Sequence, residues 1–222
     1  REFAKSTGQL AKTDKLDARV LAHFAEAVRP PLVILPSEEE QYLSALMTRR
    51  RQVLDLLTAE KNHLLSTPGK VRKLVEQSIA LLQNQLDELN QTIDEFIGRK
   101  DAFRKKEDIL RSVPGVGPIT SAIILSDLPE IGFLDRKKIA ALVGVAPFNN
   151  DSGRRSGKRR VKGGRQSVRQ VLYMATLAAT RFNPVIKQFY LRLLKLGKTF
   201  KVALVDRMHK LLTTLNALIC DI

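Results

Sequence analysis

Two serines, Ser152 and Ser156, each followed by a glycine, stand in the cationic run DSGRRSGKRRVKGGRQSVR. Its cations are Arg154, Arg155, Lys158, Arg159, Arg160, Lys162, Arg165 and Arg169, with no acidic residue among them. Charges this dense repel one another unless phosphates neutralise them. A serine hydroxyl among guanidinium groups can act as a nucleophile at a phosphodiester. The arginines would then offset the charge that develops on the phosphoryl oxygens. Serines are common in polar loops, and a basic run is often no more than a solvated face. Here the interspersed glycines favour a segment that moulds to a phosphate backbone.

A second constellation is VPGVGPIT, Val113 to Thr120, between two apolar-periodic stretches. Gly115 and Gly117 allow a tight turn that leaves successive backbone N–H groups facing out at a helix start, where the helix dipole favours an anion. That is the hairpin of a helix-hairpin-helix module, which holds DNA backbone without reading bases. A purely structural Pro-Gly turn is the other reading. A third constellation is AKTDKLDA, where Asp14 and Asp17 share one helical face. Such a pair can hold Mg²⁺ for phosphoryl transfer. It equally suits the positive end of a helix dipole, and two carboxylates make an incomplete cage. His23, His63 and His209 are scattered without zinc spacing and carry no assigned role.

The elements that must position these residues are helical. Thr13 caps a helix from Asp14, with Val20, Leu21 and Phe24 on one face. Pro30-Pro31 ends it, and Pro36 closes an extended linker. Ser37 with Glu38, Glu39 and Glu40 forms a capping-box start. Leu43, Met47, Arg50, Leu54, Leu57, Lys61 and Leu64 then follow a 4-3 spacing. Beyond the turn at Pro68-Gly69 comes a second such series: Val75, Ile79, Leu82, Leu86, Leu89, Ile93 and Phe96. Together they predict an antiparallel coiled-coil hairpin. Arg50 and Lys61 interrupt the first seam, which is therefore less regular or meets a partner. Further helices are expected through Ile109 and Leu110, over Ile119–Leu128, over Arg136–Val143, from Ser167 to Arg181, from Pro184 (capped by Asn183) to Gly197, and from Thr199 to the end. The Gly/Arg-rich stretch between reads as a loop, mobile without nucleic acid, with a short hairpin around Lys158 to Lys162.

Bulk properties agree. The 222 residues carry a formal net charge of +15, with 5% aromatics and no Trp. A charge of this size makes nucleic acid the default partner, and its spread along the chain argues against a membrane-surface helix. No apolar run is long enough to span a bilayer. A single cysteine, Cys220, excludes an internal disulfide framework, fits a reducing compartment, and reads as a buried small hydrophobe. The start Arg1-Glu2-Phe3 shows neither an initiator Met nor a signal pattern, so the chain reads as a piece of a longer protein.

Three stretches, in this order, resemble one family: TGQLAKTDKLDARVLA (Thr7 to Ala22), LRSVPGVGPITSAIILSDLPEIGFLDRKKIAALVGVAPFNNDSG (Leu110 to Gly153) and GKRRVKGGRQSVRQVLYMATLAA (Gly157 to Ala179). The family is the serine-dependent DEDD transposases of bacterial insertion sequences, the IS-one-ten group, with the Piv and MooV DNA invertases. The resemblance implies a RuvC-like nuclease domain with four acidic metal ligands. Asp14 and Asp17 would be the last two, and the first two would lie upstream. It also implies a catalytic serine shortly after Gly144-Val145-Ala146-Pro147, which falls on Ser152, with Ser156 as the fallback. Family members act as oligomers, and many use a structured guide RNA.

The resemblance therefore implies a transposase or site-specific recombinase in the longer protein, binding DNA, with a structured RNA as a second candidate partner. Mg²⁺ is the implied cofactor, held in part by Asp14 and Asp17. By itself the chain is expected to be inactive, because the acidic set is incomplete. Self-association through the coiled coil and a bacterial cytoplasmic, nucleoid-associated location complete the expectation. The competing function is a non-catalytic helix-hairpin-helix module that only binds phosphates. The expected architecture is mainly α in three parts. These are a nuclease remnant with linker over 1–36, the coiled-coil hairpin over 37–106, and a compact helical domain containing the helix-hairpin-helix over 107–222.

Overall fold

A computed structural model describes residues 2–9, 13–29, 36–149, 152, 157 and 159–220. The fold is mainly helical, as the periodicity predicts. The chain divides into two units, 1–35 and 36–222. The first holds α1 (Glu2–Ser6) and α2 (Asp14–Val28). Thr13 caps α2 through its side chain, which accepts from the Leu16 N–H. Phe3 of α1 lies edge-on to His23 and Phe24 of α2, at ring-centroid distances of 5.1 and 5.3 Å. Leu21, expected on the packed face, is exposed.

The second unit opens with the capping box read from the sequence. The Ser37 hydroxyl accepts from the Glu40 N–H, and the Glu40 carboxylate accepts from the Ser37 N–H at 2.7 Å. Two long helices follow, α3 (Glu38–Ser66) and α4 (Gly69–Arg99), joined by Thr67-Pro68. They run antiparallel. Near the connection Val53 and Leu57 pack with Leu86, and at the other end Leu43 and Met47 join Ile93 and Ile97. Arg50 does not break the seam, because its Nε donates to Asn90 Oδ1 across the hairpin at 2.7 Å. Burial holds the Arg50 guanidinium below its usual pKa. Lys61 is exposed.

The expected boundary at residue 106 is not a break in the packing. Leu43, Met47, Ile93 and Ile97 belong to the same buried core as Leu110, Ile124, Ile139, Val168, Leu172 and Leu211. That core is shared by α5 (Asp101–Arg111), α6 (Pro118–Asp127), α7 (Arg136–Val143), α8 (Gln166–Phe182) and α10 (Phe200–Cys220), while α9 (Pro184–Lys195) packs on α8 and α10. Asn183 caps α9, accepting from Val185 and Ile186 N–H groups ahead of the expected Pro184 start. Cys220 corrects the sequence reading: it ends α10 and is exposed, because it falls outside the buried Leu211, Leu215 and Ile219 row.

One two-stranded antiparallel sheet is present among the described residues, β1 (Pro147–Phe148) with β2 (Arg160–Val161). Its base is held by a close backbone crossing. Gly144 ends α7 with φ +79°, and Gly164 has φ +78°. A Cβ on Gly164 would strike the Val143 carbonyl and the Gly144 nitrogen, and one on Gly144 would strike the Gly163 carbonyl. The Arg165 N–H donates to Leu142 O at 3.2 Å, tying the two segments together. Only glycine meets both demands, the left-handed backbone and the missing side chain. Gly164→Ala is expected to lower unfolding stability in urea by at least the roughly 1–3 kcal/mol of a left-handed non-glycine residue. A change within experimental error would show that the crossing relaxes freely.

Candidate nucleic-acid interface

The structure separates the five described cations of the basic run into two groups. Arg165 is half-buried and faces inward. Its guanidinium forms a two-pronged pair with the Glu130 carboxylate and also donates to the Asp127 carbonyl at 2.8 Å. Arg169 donates to the Gly163 carbonyl at the glycine crossing. Both are occupied inside the fold, although the sequence pattern places them among the phosphate ligands. Arg159, Arg160 and Lys162 are exposed, with Arg160 opposite Phe148 in the sheet. Arg154, Arg155, Lys158 and Ser156 lie outside the described residues.

Ser152 is exposed and forms an isolated bridge within the segment that the β1–β2 pairing closes. At the foot of this hairpin a cleft of about 510 Å³ is lined by Phe148, Asn149, Arg160, Lys162 and Gly163. The sequence gives little sign of Phe148, since an aromatic directly after a turn reads as core. Here it is half exposed beside two cations.

The two glycines of the α5–α6 turn have different roles. Gly115 has φ +106°, and a Cβ there would lie 2.8 Å from the Ala175 carbonyl and from the backbone nitrogen of Ala179. Its glycine requirement is thus packing against α8. Gly117 is extended at φ −101° and meets open space. It precedes α6 without any side-chain cap, and Pro118 sits at the first helical position. The N–H groups of Ile119 and Thr120 find no acceptor among the described residues. Val113 and Val116 are buried and hold the turn on the core. The Ser121 hydroxyl approaches Glu107 Oε1 at 3.2 Å, linking α6 back to α5.

Asp14 and Asp17 lie in the first turn of α2, both exposed. They suit two carboxylate ligands of a hydrated Mg²⁺. Among the described residues no third His, Cys, Asp or Glu joins them.

The Glu130–Arg165 pair ties the basic strand's far end to the segment after α6. Burial opposes the charge on Glu130, but the hydrogen bonds and positive charge of Arg165 outweigh it and hold the carboxyl below its ordinary pKa. A depressed carboxyl pKa contributes stability that is present above the unfolded value, near 4.3, and is lost as the pH falls through the folded value. The unfolding free energy is therefore expected to drop on acidification below about pH 4.3. Glu130→Gln should flatten that part of the profile, as read by chemical denaturation across pH. An unchanged slope in the variant would mean that other carboxylates carry it.

Comparison with known proteins finds similar chains. A family profile described as "Transposase IS116/IS110/IS902 family" matches residues 107–191, from the end of α5 into α9. The chain is 28% identical over 221 residues to the pilin gene-inverting protein of Moraxella bovis, covering 98% of this chain and 69% of that protein. It is 27% identical over 184 residues to the insertion element IS116 uncharacterized 44.8 kDa protein of Streptomyces clavuligerus, covering 78% and 46%. It is also 32% identical over 143 residues to the insertion element IS900 uncharacterized 42 kDa protein of Mycobacterium paratuberculosis, covering 58% and 35%.

Proposed function

We propose that the chain, whose residues 107–191 match the IS116/IS110/IS902 transposase family profile, is the DNA-binding and strand-exchange part of a transposase or DNA invertase. The observation that carries this reading is the content of the matched region. It holds the open N-terminus of α6, the glycine crossing, the exposed cations Arg159, Arg160 and Lys162, and the exposed Ser152. Similarity to a pilin gene-inverting protein and to insertion-element proteins supports it.

In this reading the N–H groups of Ile119 and Thr120, beyond Gly117, donate to a DNA phosphate at the start of α6. Gly115 sets the turn's approach to α8 and does not itself touch DNA. The hairpin arm lays its arginines along the backbone and presents Ser152 to a phosphodiester. The Ser152 oxygen bonds to phosphorus, the bond from phosphorus to the leaving sugar oxygen breaks, and the proton lost by the serine hydroxyl is balanced by one that the sugar oxygen takes up from water. The exposed guanidinium groups offset charge on the non-bridging oxygens. Asp14 and Asp17 would hold part of a Mg²⁺ site, and the bound ion would supply electrostatic help to phosphoryl transfer. Completing that set requires acidic residues beyond these two, so the chain alone is proposed to bind without cutting. Self-association through α3 and α4 fits the same reading, since Leu65, Leu74 and Leu81 are exposed on the hairpin. Structured RNA is proposed as a second polyanionic ligand of the basic arm.

Binding to a labelled duplex should weaken linearly on a log–log salt plot. Replacing Arg159, Arg160 and Lys162 together by Ala should reduce the slope by about 2.7, at roughly 0.9 per phosphate contact. An unchanged slope would remove the arm from the interface. In a longer protein that carries this chain and cuts DNA, Ser152→Ala should abolish the covalent protein–DNA product on a denaturing gel while leaving duplex binding intact. Persistence of that product would shift the nucleophile to Ser156 or, if both variants cut, favour a module that only binds.

A further inference from the structure

Phe133 is the most exposed of the chain's described phenylalanines, at 81%, yet the loop that carries it is tightly held. Gly132, immediately before it, has φ +86°, and a Cβ there would lie 2.8 Å from the Ile219 side chain of α10. The Asn216 side chain of α10, itself buried, clamps both flanks. Its Oδ1 accepts from the Gly132 N–H at 2.9 Å and its Nδ2 donates to the Leu134 carbonyl at 2.9 Å. Ile131 is buried on one side of the ring-bearing residue, and Asp135 caps α7 on the other. The fold thus commits a buried amide and a left-handed glycine to a short loop whose central side chain points into water. An aromatic ring left outside costs exposed apolar area, and a rigid mount makes that ring pre-organised for a ligand.

The surroundings of the ring say what that ligand is. Phe133 lines a cleft of about 360 Å³ together with Lys105 and Lys106 of α5, over an apolar floor that includes Ile131 and Ile219. The Lys106 ammonium lies over the ring, 5.9 Å from its centroid. Neither lysine forms an ion pair among the described residues. The cleft has no acidic residue among its described lining. A rigid aromatic face beside two unpaired cations matches an unpaired nucleobase with its flanking phosphates. Base–aromatic stacking takes any base, and lysines track the backbone. A duplex would have to be unstacked before it could use such a ring, at a cost of roughly a few kcal/mol per base step.

We propose that Phe133, with Lys105 and Lys106, forms a binding site for single-stranded nucleic acid, the base stacking on the ring and the phosphates meeting the lysines. This site is separate from the serine arm and does not depend on the role given to Ser152.

The test uses fluorescence anisotropy with a labelled 12-nucleotide oligothymidine strand and, in parallel, a labelled duplex of random sequence. Phe133→Ala should weaken single-strand binding about 5- to 100-fold and leave duplex binding within about twofold. Phe133→Tyr, which keeps the stacking face, should bind the single strand like the parent. Replacing Lys105 and Lys106 by Ala should reduce the single-strand salt slope by about 1.4, at roughly 0.7 per contact. Circular dichroism melts of all variants should match the parent, since the altered side chains lie at the surface. Single-strand binding unchanged by Phe133→Ala would overturn the proposal. So would an equal loss for both probes, or a change in sedimenting mass, which would make the patch a protein-contact face. Retained duplex binding with lost single-strand binding separates this site from the serine arm.

Discussion

The approach of two chain segments at Gly144 and Gly164 governs where the basic arm can be. One segment leaves α7, the other leads into α8, and neither tolerates a side chain at the point of contact. Around that crossing the fold gathers the Arg165–Leu142 backbone bond, the Arg169 bond to the Gly163 carbonyl and the Arg165–Glu130 pair. Each alone is a modest interaction at a half-exposed site. Together they hinge the arm on the buried core through Val143 and Val168, which are fully enclosed. The β1–β2 pairing then needs only two residues from each strand, because its base is already set.

This arrangement divides the positive charge by use. A chain with a net charge of +15 repels itself wherever cations are close without anions between them. Arg165 is paired with a carboxylate, Arg169 is hydrogen-bonded to a carbonyl oxygen, and both hold structure. Arg159, Arg160 and Lys162 are left outside, where a polyanion is the natural counter-charge. Arg50 follows the first pattern within the α3–α4 hairpin. It gives up solvent and donates to Asn90, so that a cation in the seam marks a polar cross-link instead of a docking face.

Glycines and small polar residues repeatedly serve packing within segments that also suit ligand binding. Gly115 lets the α5–α6 turn lie against α8, and Gly132 lets the next loop lie against α10. In each case the turn is seated by buried apolar neighbours, Val113 and Val116 for the first, Ile131 for the second. A turn so anchored presents its outer groups in a fixed position, which lowers the ordering entropy a ligand must overcome.

The sequence by itself determined the helices and their ends, because capping and periodicity are local. Thr13, the Ser37–Glu40 box and Asn183-Pro184 all act within a few residues of themselves. It also determined which segments carry cations, carboxylates and serines. Tertiary structure alone decided which of those groups stay free. Arg165 and Arg159 look alike in the chain. A glutamate 35 residues earlier takes up one of them and leaves the other in solvent. The same holds for Phe133, whose exposure depends on Asn216 far along the chain, and for the hairpin base, whose core partners come from five other helices. Burial and pairing are set by residues distant in sequence, and no local pattern encodes them.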